Sequence, residues 1–152
     1  MDGKKKQKIV EFIEAYPARV RSIESLKLEL KRLYDQCYPN GIDTSKDKVT
    51  SSNIHDTVFE TVVIIEKEKE RIEAQLQKDE DFVALHDMAF GKLSDSEQEV
   101  IAKLYHGRRY SDGKSWLLSH GYAYSTLYRI QKKALQKMYD TVFGGEYIVT
   151  KK

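Results

Sequence analysis

Apolar residues recur at intervals of three and four along most of the chain, which is the spacing of one face of an α-helix. The pattern is clearest between residues 93 and 138, where it forms three short segments separated by polar turns. The apolar positions of these segments are Val100, Ile101, Leu104 and Tyr105, then Trp116, Leu117 and Leu118, and then Leu127, Ile130, Ala134, Leu135 and Met138. The region is therefore expected to fold as three packed amphipathic helices.

Capping and turn residues mark the ends of these helices. Ser94 and Glu97 have the spacing of a capping box, so the first helix should start there. A glycine follows each of the first two segments, and glycine readily takes the left-handed conformation that ends a helix. We expect Ser125 or Thr126 to cap the third helix.

The N-terminal region carries longer helical patterns. From Ile9 to Cys37 the apolar positions alternate by four and three, a heptad-like repeat that favours packing against another helix. Pro17 interrupts this run, so either a second helix begins near Pro17 or one helix is kinked there.

A second long helix is expected after a polar loop at residues 39–53, with Ser52 or Asn53 as its cap. The acidic residues 79–81 predict a weak break in it, and Gly91 marks the end of the N-terminal region. The stripe expected to be buried along this helix is Ile54, Val58, Val62, Ile65, Ile72 and Leu76. The two long helices are expected to pair, either as an antiparallel hairpin or between subunits.

These patterns predict an all-α protein in which a long helical hairpin or coiled coil (residues 1–91) precedes a helix-turn-helix domain (residues 92–143) and a short tail (residues 144–152). The sequence shows neither an apolar run of membrane-spanning length nor an export signal. Its single cysteine, Cys37, cannot form an internal disulfide. We therefore expect a protein of a reducing cytoplasm, without a membrane partner.

Charge is distributed unevenly along the chain. Residues 1–93 hold 16 basic and 18 acidic residues, net −2, whereas residues 94–152 hold 10 and 6, net +4. Between Lys103 and Lys137 there are eight basic residues and one acid, Asp112, a local balance of +7. Such a concentration in a nearly neutral protein favours a DNA-binding surface. The alternative is a three-helix bundle with a solvated basic face.

The segment Ile130–Met138, IQKKALQKM, resembles the recognition helix of the promoter-reading C-terminal domain of bacterial sigma factors, where an Ile-x-x-x-Ala-Leu-x-x-Leu/Met ending is common. The motifs L-S-x-x-E-Q-x-V-I and L-Y-x-G-R-x-Y-S resemble earlier helices of that domain. With Tyr38–Asn53 and Ile64–Leu76, most of the chain is similar to phage and prophage late-gene regulators of the RinA/ArpU-like group. The resemblance implies a sigma-like helix-turn-helix behind a helical N-terminal half.

The third helix is the expected reader of the DNA major groove. Arg129 is the best single base reader, because a guanidinium group binds guanine through two hydrogen bonds. The other candidates for reading bases are Tyr124, Ser125, Thr126, Tyr128 and Lys132. The residues expected to bind phosphates, which position the protein without specifying sequence, are Arg108, Arg109, Lys114 and Lys133.

The chain departs from the sigma pattern at the start of this helix. Tyr124, Ser125 and Thr126 stand where sigma factors commonly carry an Arg-Glu-Arg-like set, so the usual sigma promoter element is not the expected target. The sequence also lacks a recognisable sigma region for promoter melting. We therefore expect an activator that acts with host RNA polymerase beside a host sigma factor.

No pattern supports catalysis. The four histidines are scattered, no Cys-His cluster suits a metal, and no glycine-rich phosphate loop is present, so neither an enzyme nor a cofactor is expected. Two other functions fit these features: a small terminase-like DNA-packaging subunit, and an interaction protein that binds a host factor through its coiled coil. A ring-shaped oligomer would favour the first, and a lack of salt-dependent DNA binding would favour the second.

Overall fold

The computed structural model describes the backbone of residues 2–37, 52–107 and 109–150, and the side chains of residues 2–36, 58–107 and 109–144. Within these ranges the protein is all-α, as the sequence predicts, and contains no strand. The helices are α1 (Gly3–Cys37), α2 (Ser52–Gly91), α3 (Asp95–Tyr105), α4 (Tyr110–Ser119) and α5 (Tyr124–Thr150). In these ranges every helix is too short or too polar to span a lipid bilayer.

Helices α1 and α2 are both longer than the sequence suggested. Pro17 lies inside α1, so the alternative of a second helix starting there is wrong. A proline inside a helix removes a hydrogen bond and clashes with the preceding turn. Burial of Ile9 and Ile13 and stacking of Tyr16 on the ring of His86 hold that preceding turn in place.

The predicted break at residues 79–81 is also wrong, because α2 continues through them. Asp79 is 1% exposed, and its carboxylate accepts hydrogen bonds from Ser22 Oγ (2.6 Å) and Gln75 Nε2 (3.0 Å). A buried carboxylate with such partners no longer competes for the hydrogen bonds of the helix backbone, so it does not interrupt the helix. Most of the predicted loop at residues 39–53 lies outside the described residues, as do the side chains of the predicted caps Ser52 and Asn53.

Contacts divide the chain into two compact units. Unit 1 contains Met1–Val20 and Asp81–Lys152, and unit 2 contains Arg21–Glu80. The core of unit 1 joins residues of α3, α4 and α5 to Ile9 and Ile13 of α1 and Ala89 of α2. The first turns of α1 therefore fold with the C-terminal helices.

In unit 2 the segments of α1 and α2 run antiparallel. Ser22 pairs with Asp79, and a groove further along is lined by Leu30 and Leu33 from α1 and by Ile65 and Lys69 from α2. These contacts join the two segments within one chain.

The predicted buried stripe of α2 is present only in part. Ile72 is buried, and Ile65 and Leu76 are half-buried. Val58 and Val62 are 56% and 44% exposed, so the prediction is wrong at these two positions. The antiparallel register would place them beyond Cys37, where α1 ends, so α1 does not cover them. The side chain of Ile54 lies outside the described residues.

Candidate nucleic-acid interface

The N-terminus of α3 is fixed by the predicted capping box. Ser94 Oγ accepts a hydrogen bond from the Glu97 backbone N–H (3.3 Å), and Glu97 Oε1 accepts one from the Ser94 N–H (3.2 Å). Lys137 of α5 donates to the same Glu97 oxygen (2.7 Å). Burial of Glu97 raises its pKa, but the bonds from Lys137 and Ser94 outweigh burial and hold the pKa below its ordinary value. Glu97 therefore joins the start of α3 to the middle of α5.

Helices α3 and α4 cross at Gly113. A Cβ atom at this position would overlap the backbone carbonyl of Lys103 and would lie 3.2 Å from Leu104 Cα. The missing side chain thus allows α4 to approach the α3 backbone closely. At the ends of the two helices, Gly107 and Gly121 have φ values of +86° and +96°, which confirms the predicted glycine stops.

Helix α5 begins at Tyr124, so the predicted caps Ser125 and Thr126 are wrong: both lie inside its first turn. The Ala123 carbonyl accepts the hydrogen bond from the Leu127 N–H (2.8 Å) that opens the helix. This early start follows from the short connection, because Gly121 ends the turn after α4 and two residues then lead into α5.

A buried glutamine fixes the rotation of α5 about its axis. Gln131 Nε2 donates to the hydroxyl oxygens of Tyr105 of α3 (2.7 Å) and Tyr110 of α4 (3.0 Å). The Tyr110 hydroxyl lies 3.2 Å from Gln131 Oε1, to which it can donate. Burial raises the pKa of Tyr105 to about 12, so its hydroxyl stays protonated. An amide bonded to two other helices leaves α5 a single well-defined orientation.

The apolar face predicted for α5 is confirmed: Leu127, Ala134, Leu135 and Met138 are buried, and Ile130 is half-buried against them. The opposite face carries the candidate DNA contacts. With 3.6 residues per turn, Ser125, Arg129, Lys132 and Gln136 fall within an arc of about 60° on that face. Arg129, Lys132 and Lys133 are exposed, and no acidic residue occurs between Tyr124 and Lys137. Between Tyr124 and Lys137 the outward side of α5 is therefore uniformly neutral or basic.

Two exposed tyrosines extend this surface towards α4. Tyr124 and Tyr128 are 67% and 64% exposed. Lys114 of α4 holds its Nζ 4.7 Å from the centre of the Tyr124 ring, which brings this candidate to the start of α5. We use "basic face" for the half-buried Lys114 together with the exposed residues Tyr124, Ser125, Tyr128, Arg129, Lys132 and Lys133.

The remaining candidates are placed differently. Thr126 is half-buried on the inner side of the first turn of α5. Arg109 is exposed and is the N-cap residue of α4, but its side chain makes no capping hydrogen bond. Arg108 lies outside the described residues. Trp116 is half-buried against the core and is stacked on His120 with ring centroids 3.8 Å apart, as expected for a packing residue.

Grooves border the basic face on both sides. On one side, Arg129 and Lys133 line a groove with Ser94 and Ser96 from the start of α3. On the other, Tyr128 and Lys132 line a groove with Lys6 of α1. Sequence patterns alone do not point to Lys6, because it lies far from α5 along the chain and in the half with net negative charge.

Two histidines that are scattered in sequence meet in unit 1. The Nε2 atoms of His86 and His106 are 3.0 Å apart, within an aromatic cluster that includes Tyr16 and Phe90. Burial lowers the pKa of both histidines, and the neighbouring His86 helps to lower that of His106 to about 4. In the described ranges no three His, Cys, Asp or Glu side chains come together as a metal site.

Comparisons with protein-family models, with curated proteins and with solved structures found no match to this chain.

Proposed function

We propose that this protein is a sequence-specific DNA-binding transcription regulator. Helices α4 and α5 form a helix-turn-helix, and α5 enters the major groove of duplex DNA. The observation that carries the proposal is the basic face of α5. Its polar, tyrosine and basic side chains point outward over successive turns, while Leu127, Gln131, Ala134 and Leu135 hold the opposite side in the core.

The basic face has both kinds of contact that a DNA reader needs. Ser125, Tyr128 and Arg129, near the start of α5, are placed to reach base edges, as the leading residues of recognition helices do. Lys132 lies beside them on the same arc, and Lys114 and Lys133 supply charge for phosphates. The hydrogen bonds of Gln131 and the Lys137–Glu97 pair keep α5 in one orientation, so its side chains present a defined pattern to the groove.

The regulatory part of the proposal comes from the resemblance to sigma-like and RinA/ArpU-like proteins. A phage or prophage activator of late genes would bind beside a promoter in the bacterial cytoplasm and contact host RNA polymerase or a sigma factor. The N-terminal helices are the proposed site of self-association. The exposed apolar residues Val58, Phe59 and Ile64 of α2 favour that role.

The proposal is tested by mapping bound sites in host DNA and measuring affinity for the mapped duplex against a random duplex of equal length. We expect tight binding to the mapped sequence, weaker binding to the random one, and a steep dependence on salt. Failure to bind either duplex at low salt would overturn the proposal and favour the host-factor-binding protein. Sedimentation of the complex separates the regulator from the terminase-like subunit, because only the latter requires a ring of many copies.

A further inference from the structure

The start of α1 carries a cluster of positive charge. The net negative charge of the whole N-terminal half conceals this cluster. Residues 2–8 contain four lysines, Lys4, Lys5, Lys6 and Lys8, and one acid, Asp2. All four lysines are exposed. The Asp2 carboxylate accepts a hydrogen bond from the Lys5 backbone N–H (2.8 Å), so it serves as a cap of α1. The net charge of this short segment is +3.

Three lysines of this cluster, Lys5, Lys6 and Lys8, lie against α5 within unit 1. Lys6 lines the same groove as Tyr128 and Lys132. Further along, Lys8 Nζ is 4.3 Å from the centre of the Phe143 ring, and Lys5 Nζ is 5.7 Å from that of Tyr139. Ile9 and Ile13, in the next turns of α1, are fully buried in the core shared with α5. The lysines are therefore held in place by the fold and do not sit on a free tail.

We propose that the first two turns of α1 form a second phosphate-binding surface, which grips duplex DNA beside the segment read by α5. This inference rests on the proposed function, and adds to it a contact from the opposite end of the chain. Lysine side chains bind phosphate as point charges and carry little sequence information. Lys4 and Lys6 should thus add affinity without changing which sequence is preferred.

The position of Lys6 explains why DNA bound by α5 would meet α1. A helix in the major groove is flanked by the phosphates of both strands. On one side of the basic face, Ser94 and Ser96 of α3 border the groove; on the other, Lys6 adds a positive charge next to Lys132. The strand that passes on the Tyr128–Lys132 side therefore encounters lysines from two helices.

The test is the double variant Lys4→Ala, Lys6→Ala in the full-length chain. These lysines are chosen because Lys5 and Lys8 lie over aromatic rings, so replacing them would also alter packing. The matched control is Lys27→Ala, Lys31→Ala, which removes the same charge from exposed positions of α1 in unit 2. Affinities for the mapped and random duplexes are measured from 50 to 200 mM salt.

We expect the double variant to weaken binding to both duplexes by the same factor. Loss of two phosphate contacts lowers the salt slope by roughly two. Between 50 and 200 mM salt, the affinity of the wild type should therefore fall by a factor about 12 times larger than that of the variant. Lys4→Arg, Lys6→Arg should restore the slope.

A wild-type slope in the alanine variant, or an equal loss in the control variant, would overturn the inference while leaving DNA binding by α5 intact. If wild type itself binds no duplex, the proposed function fails together with this contact.

Discussion

Units 1 and 2 are built from the same kind of amphipathic helix, yet they bury their apolar side chains to different extents. Among the described residues, the core of unit 1 contains thirteen buried residues, twelve from the five helices and Leu93 from the connection between α2 and α3. Among the described residues of unit 2, the buried apolar residues are Leu26 and Ile72. Helices that cross from several directions enclose side chains, whereas two antiparallel segments leave their outer faces in water. Most of the stabilising burial therefore lies in unit 1.

The exposed apolar groups of the basic face and those of α2 in unit 2 differ in chemistry. In unit 1, Tyr124 and Tyr128 stand beside Arg129 and Lys132, and each combines an aromatic ring with a hydroxyl group. In unit 2 the exposed groups include Phe59 and Ile64, which have no polar end. A wet, charged partner such as DNA suits the first set, and a protein surface suits the second.

The largest expected effect is that of Gly113→Ala in unit 1. The added methyl group overlaps the Lys103 carbonyl of α3, so α3 and α4 must separate. We expect the free energy of unfolding to fall by about 3 kcal/mol, with DNA binding lost as the start of α5 shifts. Denaturant unfolding followed by circular dichroism measures the change. Gly91→Ala, at a position with open space around it, is the control. Equal stability of the two variants would show that α3 and α4 are not in close contact.

Acid should destabilise unit 1 through the His86–His106 pair. The charged group facing the pair is Asp87 of α2; Tyr16 of α1, which stacks on His86, stays neutral because burial raises its pKa. Because the pKa of both imidazoles is lowered in the folded state, the unfolded chain binds protons first. Stability is therefore complete above about pH 6.5 and falls as the pH drops towards 4, by about 3 kcal/mol for His106 alone.

Urea unfolding at pH 7, 6, 5 and 4.5 measures this loss, and the histidine NMR signals assign it. His106→Asn should flatten the dependence between pH 6.5 and 5, whereas His120→Asn, at an exposed position, should leave it unchanged. A histidine signal for position 106 that titrates near 6.5 in the folded protein would contradict the buried pair.

Specific recognition should depend on Arg129 more than on Lys133. Both side chains are exposed on α5, but Arg129 lies within the outward arc, one turn from the start of the helix, whereas Lys133 lies outside that arc and one turn further along. Arg129→Ala should cost about 1–3 kcal/mol on the mapped duplex and relax the choice of one base pair. Lys133→Ala should weaken mapped and random duplexes together. If both variants lower specific and random binding by one common factor, Arg129 contacts the backbone.

The smallest expected effect on folding is that of Phe59→Ser in unit 2. This side chain is 69% exposed, so its replacement should change the free energy of unfolding by less than about 0.5 kcal/mol. If the exposed apolar residues of α2 join two copies of the chain, oligomers of the variant should nevertheless dissociate at a higher protein concentration than those of the neighbouring control, Glu60→Ser. Sedimentation over a range of concentrations measures this. Equal association of the two variants would exclude Phe59 from the contact.

The sequence predicted the local features of the C-terminal helices well. The Ser94–Glu97 capping box, the glycine stops and the apolar face of α5 depend on neighbouring residues, and all were confirmed. The alternative of a new helix at Pro17 and the weak break at residues 79–81 were wrong, because tertiary contacts of Tyr16 and Asp79 outweighed the local signals.

Contacts between distant segments were harder to predict. Gln131 lies on the apolar face of α5, and its position between Leu127 and Leu135 was a usable sign that it is buried. Its partners Tyr105 and Tyr110, however, depend on how three helices cross. The approach of Lys6 to Lys132 and of His86 to His106 likewise requires the three-dimensional arrangement, since no regular spacing relates these pairs in sequence.

Burial of Ile9 and Ile13 among C-terminal helices has a consequence for the folding order. Unit 2 is inserted between the two parts of unit 1, so on the ribosome α1 emerges long before the helices that cover its first turns. Ile9 and Ile13 cannot be buried until α5 has left the ribosomal exit tunnel. Because these segments are far apart in sequence, bringing them together slows the folding of unit 1. The insertion also defines a minimal fragment. A chain that begins at Gly91 would lack the core residues Ile9, Ile13 and Ala89, whereas residues 1–20 joined to 81–150 by a short linker would keep them.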